Sequence, residues 1–551
     1  MLNRDQALFF WNLLLGALVL GASFIFLTSA IPLIQWGWIP SFGESKKVYV
    51  KLVRIAVVVS ALSLIAFRIF RKEDFYRLWI VRVARRVAQM PLAFLLTALF
   101  AVYGISHSIT GFLRHAAFET RAFDLGIFAQ AVWNTLRGDL LYSSLKGGIC
   151  LLGDHFAPIL ALIAPFYRIW PDPRMLILLQ AFSGALCILC VAAVARSVLK
   201  ERSWILLFAV LYFIFYPARA ALHEDFHPEV LVEPFLFLAF LALETGQISG
   251  FLACLLMIVT AKENMFGIAF MFGVYAFFFK KEHKLGGLLM LGSLGAFWAV
   301  IQFVIPFFSH QPYFYTGNYQ AMLAGQGSAL FARLSALDSW EYVLRVLLPF
   351  LYLPLMHLPT FLLALPVLLQ NILSQNEAMR SFNYHYLSGL TPFLFISCMC
   401  GIREILRRFP VMTLAKQGIA LALLLVGLLT SGAPEYYFLW RSSQNADPQG
   451  KTIRAQMRAI SRDARVFSHN NLIPHMIHRK HIFQFDYSAS RTKLEQSLAE
   501  RADVVVMWKK IWEPGTPSLE AELPEFFKAG YRIDFQEGDF YILKKFPQGI
   551  A

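Results

Sequence analysis

Residue types that could perform acid–base chemistry, or bind a cation or a phosphate, recur in short motifs within otherwise apolar sequence. The densest motif is HEDFHPE (His223–Glu229), where three acids and two histidines within seven residues could bind a cation. Four further motifs are FDLG, GDHF, AKEN and NYHY. Their polar members are Asp124, Asp154, His155, Lys262, Glu263, Asn264 and His385. Together the five motifs contain the groups that a transfer reaction needs.

Group transfer from a lipid-linked donor suits these residue types. A carboxylate could deprotonate an acceptor hydroxyl, while a lysine or a bound cation would stabilise a departing lipid phosphate. The alternatives are structural: an N-cap for Asp124, a loop cap for Asp154 and His155, a solvated loop for HEDFHPE, a self-neutralising pair for Lys262 and Glu263, and an interfacial position for His385. A shared site is favoured because ionisable groups at membrane depth are costly. The positions of the basic clusters along the chain also place all five motifs on one side of the membrane.

The composition predicts a protein with many membrane helices. Of 551 residues, 58% are hydrophobic and only 15% are charged. Apolar runs such as Pro91–Phe112 and Leu285–Ile305 reach the roughly 20 residues that a helix needs to cross the bilayer. Backbone groups in lipid must be paired within their own segment, so these runs are expected to be helical.

The net charge of +15 comes from short basic clusters between apolar runs, which argues against a nucleic-acid partner. By the positive-inside rule the clusters are cytoplasmic, and all five motifs then lie at the outer face. The clusters are Arg68, Arg71, Lys72, Arg77, Arg82, Arg85 and Arg86; Arg196, Lys200 and Arg202; Lys280, Lys281 and Lys284; and Arg403, Arg407, Arg408 and Lys416. One loop conflicts with this assignment of inner and outer sides. The assignment places the loop outside, although it carries four basic residues, Lys46, Lys47, Lys51 and Arg54.

Three regions follow from the hydropathy. Residues 1–89 are predicted to form two accessory transmembrane helices, 9–35 and 51–70, and a basic cytoplasmic linker. Residues 90–432 form the main transmembrane core, which brings the total to about thirteen membrane segments. The predicted core helices are 90–112, 173–196, 203–217, 229–245, 248–262, 266–280, 286–306, two short helices within 345–372 broken near Pro359, 389–402 and 416–432.

A long first outer loop, 113–172, is expected to be functional because ordinary connections are shorter. It contains two segments with helical periodicity, Phe123–Gly138 and Phe156–Trp170, which we place along the membrane surface. Residues 433–551 differ in kind, because their apolar runs have strand length, as in ARVFSHN, ADVVVMW, YRIDF and FYILKK. With a helix predicted at Thr492–Arg501, this region is interpreted as a small soluble α/β domain outside the membrane.

The order of these motifs resembles the GT-C superfamily of membrane glycosyltransferases. The strings FDLGIFAQAVWNTLRG, GDHFAPILALIAPFYRIW, HEDFHPE, AKEN, NYHYLSGLTPFLF and IPHMIHR look more closely like an uncharacterised bacterial branch of predicted membrane proteins. The resemblance covers about residue 90 to the C-terminus. It implies a GT-C-like helical bundle and leaves the first two helices unexplained.

The resemblance also implies roles for individual residues. In relatives that resemble protein mannosyltransferases and aminoarabinose transferases, an acid in the first outer loop is the catalytic base, and Asp124 matches that position. Leu125 follows it where those relatives often carry a second acid. Lys262 is the candidate for binding the donor phosphate, with Asp154, His155, Glu263 and His385 as further substrate contacts. His227, Glu229 and Glu224 are plausible ligands for a divalent cation, which some members of the superfamily use.

The predicted function is transfer of a sugar from polyprenyl phosphate to a glycan, lipid or protein acceptor at the periplasmic face of the bacterial inner membrane. A transporter or lipid flippase is the alternative, although such proteins usually show internal repeats and polar groups near the bilayer midplane. A third interpretation is a catalytically inactive scaffold whose outer domain binds an envelope partner.

Overall fold

The computed structural model describes residues 86, 89–319, 327–408, 413–432, 442, 449–485, 502–509 and 519–546. The two helices predicted at 9–35 and 51–70 and the helix predicted at Thr492–Arg501 lie outside these residues.

Three described helices are long and apolar enough to cross a bilayer: α1 (Leu92–Ala116), α4 (Arg174–Val198) and α10 (His283–Ser309). The pair α5 (Arg202–Ile214) and α6 (Tyr216–His223) is bent by 43° and would be a fourth span if counted as one. The total of about thirteen membrane segments stays a prediction, because most of the remaining described helices are too short to meet the same length criterion.

The other helices of the described region are α2 (Ile127–Thr135), α3 (Ile159–Ile169), α7 (Pro228–Glu244), α8 (Ile248–Val259), α9 (Met265–Phe278), α11 (Gly327–Ser335), α12 (Leu337–Leu347), α13 (Leu358–Phe361), α14 (Leu365–Leu373), α15 (Thr391–Arg408), α16 (Thr413–Thr430), α17 (Gly450–Ala459) and α18 (Leu519–Lys528). Four of these, α11, α12, α17 and α18, were not predicted.

The proline-rich segment departs from the two short helices predicted within 345–372. Helix α12 ends at Leu347, two residues before Pro349, and the chain then passes through short turns as far as α13. Leu351 and Tyr352 adopt positive φ angles of 53° and 59°, which an α-helix cannot accommodate. The helical run is therefore interrupted well before Pro359.

The connection between α1 and α4 contains two helices at the predicted positions, but only one has the predicted character. Helix α3 exposes an apolar edge, as expected of a helix at a membrane surface, with Leu162 53% and Ile169 78% exposed. Helix α2 is instead buried almost all round. The prediction that α2 lies along the membrane surface is wrong, because the C-terminal segment covers it: Gln130 donates hydrogen bonds to the carbonyl oxygens of Arg479 and Lys480.

The C-terminal segment contains a five-stranded sheet in the order β4-β3-β5-β7-β6. The strands are β3 (Val466–Ser468), β4 (Ile482–Gln484), β5 (Val504–Trp508), β6 (Tyr531–Glu537) and β7 (Phe540–Lys545), while a small hairpin earlier in the chain is formed by β1 (Tyr142–Ser143) and β2 (Ile149–Cys150). Strand β3 is parallel to β4 and β5, and β7 is antiparallel to β5 and β6.

This sheet packs directly on the helical body. Ile453, Ile473 and Val504 belong to the same hydrophobic cluster as α1, α4 and α7. The Ser144 hydroxyl, in the β1–β2 hairpin, donates to the carbonyl oxygen of Ile482 at 2.7 Å. The C-terminal segment therefore fixes the position of the connection that carries Asp124.

Candidate active site

Asp124 occupies a strained turn just before α2. Its φ and ψ are 77° and −86°, a conformation that costs a non-glycine residue about 1–3 kcal/mol. Asn470, from the C-terminal segment, holds the turn: its Oδ1 accepts hydrogen bonds from the backbone N–H groups of Ala122 (2.8 Å) and Phe123 (3.3 Å). The N-cap interpretation of Asp124 is wrong, since no side-chain capping bond is present and α2 begins after Gly126.

The Asp124 carboxylate faces His227, at the start of α7. Its Oδ1 lies 3.4 Å from His227 Nε2, and its side chain keeps 42% of its surface exposed. Removal from water raises the pKa of Asp124, but the positive charge and hydrogen bond of His227 outweigh that effect and bring the pKa to about 2. Asp124 is therefore ionised at neutral pH and is accessible to a substrate.

A hydrogen bond from Nδ1, the other ring nitrogen of His227, orients the imidazole. Nδ1 lies 2.7 Å from the carbonyl oxygen of Asp225, so it carries a hydrogen and Nε2 is directed at Asp124. Gln180, on α4, accepts the backbone N–H of His227 at 2.7 Å. Burial lowers the pKa of His227, but the neighbouring Asp124 and Glu224 outweigh it and raise the pKa to about 10.

His385, from the NYHY motif, lies against this pair. Its ring stacks on that of His227, with centroids 3.4 Å apart and planes at 17°. Glu224 Oε2 accepts from the backbone N–H of His385 at 2.7 Å and lies 3.0 Å from its Nδ1. Burial and the charge of His227 lower the pKa of His385. The interfacial interpretation of His385 is wrong, because its side chain is buried against the HEDFHPE motif.

Lys262 joins the cluster through Glu229. Its Nζ lies 2.7 Å from Glu229 Oε1, which also lies 3.8 Å from His385 Nε2. Burial lowers the pKa of Lys262, but the charges of Glu229 and Glu263 reverse this and raise it above the usual value, so the ammonium stays charged. The self-neutralising pair of Lys262 with Glu263 is wrong, since Lys262 pairs with Glu229.

Glu263 belongs to a second group of polar side chains beside the first. Its Oε1 lies 2.8 Å from His155 Nδ1, and Tyr313 donates to the same oxygen at 2.6 Å. Asp154 forms an ion pair with Lys146 at 2.9 Å and accepts from the Tyr315 hydroxyl at 3.1 Å. His155 stacks on the Tyr315 ring, with centroids 4.2 Å apart. Asp154, His155 and Glu263 thus share one set of contacts next to Lys262.

Several residues that complete the site were not predicted. The backbone N–H of Arg121 donates to Asp225 Oδ2 at 2.7 Å, and Arg114 lies 3.6 Å from Asp225 Oδ1. Burial raises the pKa of Asp225 to about 6, against the opposing charge of Arg114. Arg114 and Asn470 carry no local sequence signal, because their roles depend on contacts between segments far apart in the chain.

A divalent cation fits the donor set at the centre of the cluster. One ligand atom from each of Glu224, His227 and His385 lies within 4.8 Å of the other two. Two histidines and a carboxylate are a common ligand set for transition metals. The carboxylates that raise the pKa of His227 would equally attract a metal cation in place of the proton.

The described fold and site are those of a helical membrane protein whose acids, histidines and lysine from four separate connections meet at one end of the bundle. The chain belongs to the family described as "Predicted membrane protein (DUF2079)", whose model matches residues 114–539. Comparison with curated proteins gives no match.

Two solved structures are similar in fold. The crystal structure of ArnT from Cupriavidus metallidurans bound to undecaprenyl phosphate has a TM-score of 0.53 and 12% identity, covering 82% of this chain and 98% of ArnT. The apo state of the same protein has a TM-score of 0.49 and 12% identity, covering 83% of this chain and 99% of ArnT. The resemblance to a branch of predicted membrane proteins, inferred from the sequence, is confirmed by the family match. The GT-C resemblance agrees with the fold that the chain shares with ArnT.

Proposed function

We propose that this protein is a GT-C glycosyltransferase that moves a sugar from polyprenyl phosphate to an acceptor at the periplasmic face of a bacterial inner membrane. The observation that carries the proposal is the convergence of Asp124, His227, His385 and Lys262 through direct contacts or one shared carboxylate. The fold shared with ArnT supports it, because the ArnT structure contains undecaprenyl phosphate, a lipid of the proposed donor class.

Asp124 is the base in the proposed reaction. An acceptor hydroxyl attacks the anomeric carbon of the donor sugar, its proton passes to the Asp124 carboxylate, and a new glycosidic C–O bond forms. The bond between the anomeric carbon and the phosphate oxygen breaks, and polyprenyl phosphate leaves with the electron pair. Attack on the face opposite the leaving group inverts the configuration at the anomeric carbon.

The ammonium group of Lys262 is proposed to stabilise the negative charge of the departing phosphate. This ammonium is held by Glu229 and is largely removed from water, so its interaction with an anion is stronger than it would be in bulk solvent. Glu229 also positions Lys262 relative to His385. The neighbouring group of Asp154, His155 and Glu263 is proposed to contact the donor sugar.

We further propose that Glu224, His227 and His385 bind a divalent cation. Such a cation supplies Lewis-acid stabilisation of negative charge on the phosphate oxygens. The chain's own part is to hold the three ligands in place: Glu224 fixes His385 through backbone and side chain, and the Asp225 carbonyl fixes the tautomer of His227.

The test is transfer in reconstituted membranes. Purified protein in liposomes is supplied with a polyprenyl phosphate that carries a radiolabelled sugar, together with an envelope extract as acceptor. The proposal predicts label in a product that no longer extracts with the donor lipid. Movement of intact donor across the bilayer without transfer would instead support the flippase alternative, and would contradict the proposal.

A further inference from the structure

A cavity lies beside the candidate site, and none of the site residues described so far lines it. Its volume is about 730 Å³, within the ~300–1,000 Å³ that is typical of small-molecule sites. It lies between α12, the end of α16, the junction of α5 and α6, and the connection that carries the NYHY motif. A cavity of this size can hold several linked sugar rings.

The cavity lining combines aromatic rings with charged hydrogen-bonding groups. Tyr216, Tyr342 and Phe382 contribute the rings. Three carboxylates and two guanidinium groups form the charged part of the lining, namely those of Asp338, Glu341, Glu377, Arg345 and Arg380. Aromatic faces pack against the C–H faces of sugars, while carboxylates accept from sugar hydroxyls and guanidinium groups donate to them. This lining fits a saccharide better than an apolar ligand.

The charged groups of the lining make contacts of different strength. Arg380 donates to the carbonyl oxygen of Ser374 at 2.9 Å and lies 3.4 Å from Asp338 Oδ2. Arg345 lies over the Phe382 ring at 4.8 Å from its centroid and 3.5 Å from Glu341. Arg345 and Glu341 keep 59% and 68% of their side-chain surface exposed, so both can reach a polyhydroxylated ligand.

Two walls of the cavity continue into the candidate site. Tyr216 donates to Asn383 Oδ1 at 2.5 Å, which ties α6 to the NYHY connection. Helix α6 leads directly to Glu224, and Asn383 is two residues before His385. Glu224 and His385 are themselves hydrogen-bonded. A ligand in the cavity therefore lies against the two segments that carry proposed cation ligands.

We infer that this cavity binds the acceptor and that the acceptor is a saccharide. The inference rests on the proposed function and adds the acceptor class, which the predicted function leaves open between glycan, lipid and protein. A saccharide seated between α12 and the NYHY connection would lie against the segment that carries His385, which stacks on His227, the partner of Asp124.

The experiment measures saccharide binding without any donor. Full-length protein in nanodiscs is applied to an array of bacterial envelope oligosaccharides and, in parallel, to an array of envelope peptides. Wild type is expected to bind saccharides. Glu341→Gln and Phe382→Leu are each expected to weaken that binding at least about fivefold, the effect of losing the charge on one hydrogen-bond acceptor or one packing contact.

The matched control is Glu404→Gln. Glu404 pairs with Arg408 four residues on, as Glu341 pairs with Arg345, but it lies at the C-terminal end of α15 and away from the cavity. The Glu404→Gln protein should bind saccharides as tightly as wild type does. Absence of saccharide binding, saccharide binding that neither cavity variant alters, or peptide binding that the cavity variants weaken, would each overturn the inference.

Failure of this inference is distinguishable from failure of the proposed function. Transfer of sugar to a peptide, with no saccharide binding, would contradict the acceptor assignment and leave the glycosyltransferase intact. Saccharide binding that depends on Glu341 and Phe382, in a protein that transfers no sugar, would support the cavity and contradict the proposed function.

Discussion

The imidazole ring of His227 lies parallel to that of His385, with 3.4 Å between their centroids. Two stacked rings at this distance are not expected to be charged together. The surrounding acids place the charge on His227, whose pKa is raised to about 10 against the lowering effect of burial. Burial and that charge lower the pKa of His385. The pair thus combines one charged and one neutral imidazole next to Asp124.

A first prediction concerns the proposed cation. The purified protein, equilibrated with micromolar Zn²⁺ or Mn²⁺ and then desalted, should retain divalent metal as measured by inductively coupled plasma mass spectrometry. His385→Asn removes one of three ligands and should lower the affinity by more than about tenfold. His283→Asn is the control, because that exposed histidine lies at the start of α10. No retained metal in wild type, or equal retention in His385→Asn, would contradict the cation site.

A second prediction concerns Lys262 and the donor. Lys262→Gln should weaken donor binding by removing the charge opposite the phosphate, raising KM for the polyprenyl-phosphate sugar by roughly tenfold or more. Lys280→Gln is the matched control, since Lys280 forms a comparable pair with Glu244 at 3.3 Å outside the site. Steady-state kinetics with varied donor would reveal the effect, and an unchanged KM in Lys262→Gln would exclude a phosphate role.

A third prediction concerns Asn470 as a positioning residue. Asn470→Ala removes the side-chain oxygen that accepts from Phe123 and Ala122, while the Asn470 carbonyl oxygen, 2.8 Å from the Ala122 nitrogen, remains. The strained turn at Asp124 should therefore loosen at Phe123. We expect kcat to fall about tenfold or more while KM for the donor changes little. Asn470→Asp keeps an acceptor oxygen and should recover most of kcat.

Asn471 provides the control for that experiment. Its side-chain amide donates to the carbonyl oxygen of Phe118 at 2.8 Å, so Asn471→Ala loosens the same interface without touching the turn. If Asn470→Ala and Asn471→Ala reduce kcat equally, or if the aspartate variant fails to recover activity, Asn470 serves only the packing of the C-terminal segment.

A fourth prediction concerns acid and the C-terminal segment. Burial lowers the pKa of His469 to about 3 and that of His478 to about 4, below the usual value for histidine. The unfolded segment therefore binds more protons than the folded one at pH below about 6.5, and its stability falls as the pH falls through that range. Above about pH 7 the effect should be absent.

Hydrogen exchange across residues 449–485 provides the measurement. Opening of this segment, corrected for intrinsic exchange rates, should be more frequent at pH 5 than at pH 7.5, and His469→Gln should reduce the difference. His310→Gln, at an exposed position in the connection after α10, should behave as wild type. Equal opening at both pH values in wild type would show that these histidines do not control the segment.

Much of the fold follows from local sequence patterns. The apolar runs place α1, α4 and α10 within a few residues of their bounds, and short apolar runs indicate β3, β5, β6 and β7. Local patterns fail where tertiary contacts decide. The periodicity of α2 predicts a surface helix, but the C-terminal segment covers it. No pattern within residues 123–138 indicates that contact.

In the candidate site too, local sequence identifies the unusual residues but not the contacts between them. Motif composition identifies Asp124, His227, Lys262 and His385 as unusual, because polar groups in apolar surroundings are costly. Their pairing could not be predicted, since Lys262 adjoins Glu263 in sequence yet contacts Glu229 on another helix. Asn470 is an ordinary loop residue until the C-terminal segment folds back against the turn at Asp124.

The most direct test of the central claim compares three proteins in the liposome transfer assay: wild type, Asp124→Asn and Asp139→Asn. Asp139 lies in the same connection but pairs with Lys480 on the surface, so it controls for loss of an acid there. We predict that Asp124→Asn loses about 10²–10⁴-fold in transfer rate while Asp139→Asn keeps the wild-type rate. Full transfer activity in Asp124→Asn would contradict the assignment of Asp124 as the base.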